Sequence, residues 1–309
     1  VVALAMLCAP SDWLSVSYVM LAQALSGVAK DLNKMSAKSA IKYLVPEGDN
    51  QQSQLYKWIA ILTGSKNALK GVGFFLGGLL LTLLGFVGAL VALIMLLTIA
   101  WIISLVYLEG DIGKAKKKPK FKALFSKSRA INLLSAARFC LFAARDVWFV
   151  VALPVYLASQ FNWPHWWVSG FMALWVIAYG VVQSQAPKIT GKSLVSNDAI
   201  KKAYYWGGVL ACVTLLLACL MQLNIAVNTT LIVGLFIFGA AFAINSSLHS
   251  YLIVSLAKSD GVSLDVGFYY MANAAGRLVG TVLSGFMYKV YGLQACLWVS
   301  ASLLLLVCL

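Results

Sequence analysis

The stretch VGFFLGGLLLTLLGFVGALVALIMLLTIAWIISLVYL, residues 72–108, decides the fold because it contains no Asp, Glu, Lys or Arg. A helix needs about 20 apolar residues to cross the hydrocarbon core of a bilayer, so this stretch is long enough for two crossings. The dipeptide Gly85-Phe86 near its middle predicts the turn between them, since glycine readily leaves the helical conformation. We therefore predict two successive transmembrane helices, residues 55–85 and 87–108.

The remainder of the chain has the same apolar character. Of its 309 residues, 61% are hydrophobic and only 11% are charged, and the mean hydropathy is +0.87. Residues 204–223 form another stretch without Asp, Glu, Lys or Arg. This composition predicts an all-α polytopic membrane protein. Because both ends of the sequence lie inside apolar stretches, we expect a fragment of a longer protein.

Apolar stretches and turn signals together predict ten helices, of which the first and the last are partial. They span residues 1–9, 13–36, 55–85, 87–108, 129–158, 165–186, 203–223, 228–256, 264–289 and 292–309. The connections alternate between short, nearly uncharged loops and longer basic ones, at residues 43–57, 109–129 and 186–202. Lysine-rich loops remain in the cytoplasm. We therefore expect a multi-pass protein of the inner membrane with its basic loops in the cytoplasm.

The net charge of +14 is explained largely by these loops, so it does not indicate a nucleic-acid partner. The six cysteines include no CxxC pair, which argues against a zinc site or a disulfide framework. Only two histidines occur, and no catalytic motif accompanies them. The sequence thus predicts neither an enzyme nor a bound metal or cofactor.

Lysine recurs at every fourth position across the end of the second predicted helix, in the segment AKDLNKMSAKSAIK at residues 29–42. Counted from Trp13, about 20 residues would cross the hydrocarbon and bring Lys34 near the inner boundary. Lys38 and Lys42 are then expected in the cytoplasm or snorkelling towards it. Lys30 lies deeper, next to Asp31.

Other charged residues lie at membrane depth, where they are costly and indicate function. The cationic positions are Lys30, Lys66, Lys70, Arg138, Arg145 and Arg277, against two acidic positions, Asp31 and Asp146. Since charges facing lipid are unfavourable, we expect these side chains to line a shared aqueous cavity that attracts a multivalent anion. A structural alternative stays open, in which Arg145 or Arg138 pairs with Asp146, and Lys30 with Asp31, as clamps between helices. His249 could line the cavity and carry protons, or simply pack.

Two glycine patterns, GVGFFLGG at residues 71–78 and GRLVG at residues 276–280, space small residues four apart. This spacing allows close contact between helices. The two patterns would occupy equivalent places, the fifth and eleventh helices, in a duplicated six-plus-six architecture. Helix packing alone would also explain them.

Several segments resemble a known transporter family. GFFLGG at residues 73–78 resembles the fifth-helix antiporter motif of the major facilitator superfamily, GPxxGG, with Phe74 where proline is usual. AQALSG at residues 22–27 resembles its fourth-helix motif, with Gln23 where arginine is frequent. Three longer segments are similar to the ArsJ-type organoarsenical efflux permeases of that superfamily. They are QALSGVAKDLNKMSAKSAIKYLVP, LTGSKNALKGVGFFLGG and SKSRAINLLSAARF.

The resemblance implies the major facilitator fold of two six-helix bundles, covered here from the end of helix three into helix twelve. Residues 1–108 would form an incomplete N-terminal bundle, 109–128 a cytoplasmic basic linker, and 129–309 a C-terminal bundle with a truncated last helix. The family is understood to export arsenophosphoglycerate, which forms when glyceraldehyde-3-phosphate dehydrogenase accepts arsenate in place of phosphate. That enzyme would then be a functional partner supplying the substrate, and the transporter would confer arsenate resistance.

Applied to this chain, the family reading assigns substrate binding to both halves. Lys30, Lys66 and Lys70 would bind from the first half, and Arg138, Arg145 and Arg277 from the second. Asp146 or Asp31 would be the proton site, with His249 as a further candidate. Two alternatives remain: a proton-coupled exporter of drugs or of another organic phosphate anion, and a membrane-embedded scaffold without transport.

Overall fold

The computed structural model describes residues 1–46, 48, 50–107, 128–191, 196–257 and 262–308. All regular secondary structure in these ranges is helical. A 3-10 turn at Ser11–Trp13 lies between the first two α-helices. The helices are α1 (Val2–Met6), α2 (Val16–Leu44), α3 (Gln51–Tyr107), α4 (Arg129–Phe149), α5 (Ala152–Ser159), α6 (His165–Thr190), α7 (Ser196–Gln222), α8 (Val227–Leu256) and α9 (Val262–Val307).

Helices α3 and α9 each contain two of the predicted helices, joined at a sharp kink. The kink in α3 is at Gly85, with φ 66° and ψ −178°. The kink in α9 is at Gly292, with φ 80° and ψ −175°. This backbone region is accessible essentially only to glycine. The predicted boundaries near residues 85 and 292 are therefore confirmed, and the two kinks have nearly the same geometry.

Three predicted boundaries are wrong, and one of them is the start of α7, which lies at Ser196 and not near residue 203. The helix predicted over residues 129–158 is interrupted between Phe149 and Ala152, because Pro154 lacks an N–H group and its ring clashes with the carbonyl four residues earlier. Helix α2 continues to Leu44, beyond the predicted end at residue 36. Its last turns are rich in Lys and Ala, which favour helix, and it stops where Pro46 requires an extended residue before it.

Within the residues that the structure describes, six stretches are long and apolar enough to cross a membrane. They are Leu79–Tyr107, Arg129–Ser159, Trp166–Thr190, Asn197–Gln222, Val227–Leu256 and Val262–Val307. The last is 46 residues long and holds two of the predicted helices. Helix α2 and the part of α3 before Leu79 are not part of these six stretches. The protein is thus a multi-pass helical membrane protein, as predicted.

Two apolar clusters hold the second half together and join it to the first. One cluster packs α4 against α8, with the Trp148 and Phe238 ring centroids 5.0 Å apart. The other includes Val45, Tyr56 and Ile253, so it connects the ends of α2 and α3 to α8. The helices before and after residues 108–127 therefore contact each other directly. The linker predicted over residues 109–128 lies almost entirely outside the described residues.

Glycine residues allow close approach between helices at several contacts. A Cβ atom added to Gly64 of α3 would lie 2.5 Å from the Gly180 carbonyl oxygen of α6. In the pattern at residues 276–280, a Cβ at Gly280 would lie 2.7 Å from the Ala143 oxygen, so α9 approaches α4 as expected. In the pattern at residues 71–78, Gly71 packs against Ile177. Its neighbours Gly73 and Gly77 have no described atom within 4 Å of an added Cβ.

Candidate functional site

A cavity of about 510 Å³ is bounded by α2 and α3, which precede residue 108, and by α4, α6, α8 and α9, which follow residue 127. Eight of its described lining residues are basic, namely Lys30, Lys34, Lys38, Lys66, Lys70, Arg138, Arg145 and Arg277, and none is Asp or Glu. All six cationic positions singled out in the sequence therefore meet at one cavity. Arg138 and Arg145, seven residues apart on α4, lie on the same face of that helix, as their spacing predicts.

Asp146 lies directly behind the cavity and binds two of its arginines. Its side chain is fully buried, with Oδ1 2.6 Å from Nη2 and 2.6 Å from Nε of Arg145. The other carboxylate oxygen, Oδ2, accepts a hydrogen bond from Nε of Arg277 at 3.1 Å. The expected pairing of Arg145 with Asp146 is thus present, but both residues belong to α4, and it is Arg277 of α9 that makes the contact between helices. One carboxylate offsets part of the charge of two guanidinium groups.

Arg138 is held differently, by neutral partners. Its Nε donates to Oδ1 of Asn273 at 3.1 Å, and its Nη1 donates to Oγ of Ser246 at 3.0 Å. The guanidinium lies 4.1 Å from the centroid of the Phe142 ring, a cation–π distance. These contacts orient the guanidinium without neutralising it. The alternative pairing of Arg138 with Asp146 is therefore wrong.

The structure corrects the predicted position of Lys38 and adds Lys34 to the cavity lining. Both line the cavity, and Lys38 is only 3% exposed, so it neither reaches the cytoplasm nor snorkels. Nζ of Lys34 lies 4.0 Å from the centroid of the Tyr270 ring. Residues four apart on a helix share a face, so the cavity follows α2 from Lys30 to Lys38. Counting residues along α2 estimates the depth of each lysine in the membrane, but it cannot show that the C-terminal end of α2 packs against α9.

Lys42 continues this series of lysines but closes one end of the cavity. Its Nζ donates to the Val254 carbonyl oxygen at 2.9 Å and to that of Ala257, at the end of α8. In the same region, Tyr251 donates to Oε1 of Gln52 at 2.6 Å. The ammonium of Lys42 is therefore bound to α8, and its expected position in or near the cytoplasm stays a prediction.

The remaining proton-coupling candidates lie away from the cavity. The Asp31 side chain is 57% exposed and is not among the lining residues, and its Oδ1 is 3.9 Å from Nζ of Lys34. The predicted partner was Lys30. His249 is buried, is absent from the described lining, and its Nδ1 has no hydrogen-bond partner among the described residues. These observations favour a packing role for His249 over a role in the cavity. Among the described acidic residues, Asp146 is the one nearest to the basic residues of the cavity.

Neutral polar residues complete the site, and the sequence analysis missed them. Asn67 of α3 donates to Oε1 of Gln183 of α6 at 2.5 Å, across the two halves. Gln183 donates in turn to Oγ of Ser246 at 3.3 Å. The sequence does indicate these residues, because an amide side chain inside an apolar helix is unfavourable unless it forms hydrogen bonds.

A second and larger cavity, of about 900 Å³, lies between α3 and α6. Lys57 and Lys188 are its only charged lining residues among those described. Its size exceeds that of the central cavity, but its charge suits a multivalent anion less well. We therefore regard the smaller, basic cavity as the functional site.

No protein-family model and no curated protein matches this sequence. Among solved structures, the fold is similar to that of a bacterial homologue of the iron transporter ferroportin, crystallised in an outward-facing state. The TM-score is 0.70 with 16% sequence identity, and the match covers 97% of this chain and 73% of that one. The chain therefore shares its all-helical fold with this structure.

Proposed function

We propose that the protein is a membrane transporter that exports a multivalent organic anion by alternating access. The observation that supports this most directly is the cavity lined by eight Lys and Arg side chains from both halves. A concave site lined by one sign of charge concentrates ligands of the opposite sign. The cavity volume of about 510 Å³ is in the range of small-molecule sites.

The charge balance makes an anion the favoured ligand. Asp146 is the only carboxylate that the described ion pairs place on the cavity arginines, and it is shared between two of them. The guanidinium groups are suited to bidentate contacts with phosphate-like or carboxylate groups. A metal cation or a hydrophobic drug cation would be repelled by the same lining. Among the described residues, no group of three or more His, Cys, Asp or Glu could hold a metal ion.

The resemblance to ArsJ-type permeases suggests which anion is carried. Arsenophosphoglycerate bears a phosphate and an arsenate, so it matches a cavity rich in cations. Each negative charge that leaves a cell polarised inside-negative gains about 2.3 kcal/mol per 100 mV. Export through the inner membrane is thus electrically favourable, and glyceraldehyde-3-phosphate dehydrogenase would supply the substrate. Another organic phosphate anion is the second candidate, supported by the same eight side chains.

Coupling to protons would use Asp146, because it is the buried acid that contacts the substrate-binding arginines. Protonation of its carboxylate would release Arg145 and Arg277 to bind the anion. The proton and the anion would then be bound at the same time and would cross together, whereas antiport would require protonation to expel the anion.

The test is uptake of arsenophosphoglycerate into inverted membrane vesicles, with and without a pH gradient. We expect uptake by the wild-type protein and stimulation by the gradient. The variant Arg145→Gln should lose at least about tenfold in uptake, because a charge-assisted contact is worth roughly 1.5–3 kcal/mol. Arg129→Gln, on the exposed start of the same helix, is the matched control and should retain wild-type uptake.

The outcomes separate the candidates. Wild-type uptake in Arg145→Gln would remove this arginine from the binding site. Uptake of 3-phosphoglycerate but not of the arsenical would favour another organic phosphate as the substrate. A substrate that protects the folded protein from heat yet never crosses the membrane would support the scaffold alternative and overturn transport.

A further inference from the structure

We propose that Lys38, Lys34 and Arg138 form a second anion subsite at the end of the cavity closed by Lys42, separate from the arginine pair at Asp146. The subsite would take a phosphate-like oxyanion at one end of an elongated substrate. This inference rests on the proposed function, since it concerns the same cavity. It adds a requirement on the substrate, namely an anionic group at each end.

The unpaired ammonium of Lys38 is the main observation. Lys38 is buried, it lines the cavity, and its Nζ has no hydrogen-bond partner among the described residues. The charged groups that act on it, Arg138, Lys34 and Lys66, are all cations. A buried ammonium without an anionic partner is strongly unfavourable. A bound anion would supply the missing partner.

The neighbouring cations are placed to share the same anion. Lys34, one turn earlier on α2, and Lys38 both lie over the Tyr270 ring, with Nζ at 4.0 Å and 5.3 Å from its centroid. Arg138 faces them from α4, and its hydrogen-bond partners Asn273 and Ser246 are neutral. Three positive charges therefore converge here. Asp31, with Oδ1 3.9 Å from Nζ of Lys34, offsets part of one of them, whereas the partners that fix Arg138 leave its charge uncompensated.

The two subsites differ in charge balance and adjoin the same aromatic ring. The guanidinium carbons of Arg138 and Arg145 lie 4.1 Å and 4.6 Å from the centroid of Phe142, so the two groups are at most about 9 Å apart. At Arg145, Asp146 offsets part of the positive charge. At Arg138, the ion pairs found among the described residues include no carboxylate bound to the guanidinium. A substrate with an anion at both ends would span this distance and satisfy Lys38.

The test compares thermal stabilisation by pentane-1,5-bisphosphonate and by propylphosphonate, in the purified full chain and in Lys38→Met. For the wild-type protein, we expect the bisphosphonate to bind at least about tenfold more tightly than the monophosphonate. In Lys38→Met this advantage should disappear while binding of the monophosphonate persists. The ligand-free variant should melt at the same or a higher temperature, because an apolar side chain replaces an unpaired buried charge.

The controls distinguish this proposal from the proposed function. Lys38→Arg should recover the bisphosphonate advantage, and Lys57→Met, in the other cavity, should leave it unchanged. A retained advantage in Lys38→Met, or no advantage in the wild-type protein, would overturn the second subsite. A lower melting temperature of ligand-free Lys38→Met would assign the lysine a structural role and also overturn it. If neither phosphonate stabilises the wild-type protein, the anion-binding cavity fails together with the subsite.

Discussion

Asp146 shows how a single carboxylate can organise a basic cavity. It is fully buried, and it contacts Arg145 from its own helix and Arg277 from α9. Arg277 retains 49% exposure of its side chain, so one end of this network is open to the cavity. The carboxylate thereby orients two guanidinium groups, and under the proposed function an incoming anion would have to compete with it. Binding and release of the anion should both depend on this residue.

Replacement of Asp146 by Asn tests that competition. The amide keeps the size of the side chain but removes the charge, so the ligand-free protein should be less stable, because Arg145 and Arg277 lose their shared partner. The stabilisation by added bisphosphonate should exceed that of the wild-type protein, since the anion then replaces the missing charge. Differential scanning fluorimetry of the ligand titration measures both effects.

Asp198→Asn, at an exposed position in the first turn of α7, is the control for the Asp146 variant. It should leave the bisphosphonate-dependent shift unchanged. A smaller shift in Asp146→Asn than in the wild-type protein would show that the carboxylate supports anion binding rather than competing with it.

At the level of helices, the contact between α3 and α6 determines how closely the two halves approach. Gly64 and Gly180 are in backbone contact there, and Asn67 and Gln183 form their hydrogen bond one turn further along. Residues of both helices also line the basic cavity. The width of the cavity is therefore coupled to a contact that only glycine permits.

Replacement of Gly180 by Ala should separate α3 from α6. The added Cβ would collide with the backbone of Ala68 and Gly64, which cannot move aside like a flexible side chain. We expect a loss of about 1–3 kcal/mol in the free energy of unfolding, read out as a lower melting temperature in detergent.

The matched control on the same helix is Gly170→Ala, since no described atom lies within 4 Å of a Cβ added there. It should be neutral or slightly stabilising, because alanine favours helix over glycine. Equal melting temperatures for the two variants would mean that the α3–α6 contact relaxes at little cost.

At the scale of the whole molecule, one end of the cavity is closed by contacts between the two halves. Lys42 of α2 binds carbonyl oxygens at the end of α8, where cations interact favourably with the helix dipole. Tyr56 hydrogen-bonds Thr190 at 2.8 Å and packs on Tyr251, with ring centroids 5.0 Å apart. In a transporter that works by alternating access, these contacts would have to break for the cavity to open at this end.

Lys42→Met tests whether this contact holds the end closed. Loss of the charge-assisted hydrogen bonds should shift the balance roughly tenfold towards the open arrangement. Spin labels at the exposed positions Leu44 and Lys201, one in each half, should then report a larger population at long distance by pulsed electron paramagnetic resonance. Lys57→Met serves as the control, and a distance distribution identical to that of the wild-type protein would exclude the proposed role of Lys42.

The sequence by itself determined the helical membrane fold, the breaks at Gly85 and Gly292, and the six cations at membrane depth. These follow from local patterns, because apolar length, glycine conformation and charge within an apolar stretch need no knowledge of other helices. The helix break before Pro154 also has a local cause, but the apolar stretch on both sides of the proline favoured a single continuous helix in the prediction.

Only the tertiary structure decided which charges are paired and which are not. Arg277 lies 131 residues from Asp146 in sequence, and Lys42 lies 212 residues from Val254. A lysine near a helix end has the same local sequence pattern whether it reaches water, as was expected of Lys38, or faces a cavity. The difference depends on the helix packed against it, here α9 with Tyr270. Packing between helices that are distant in sequence therefore places the lysines of α2 in the lining of the cavity.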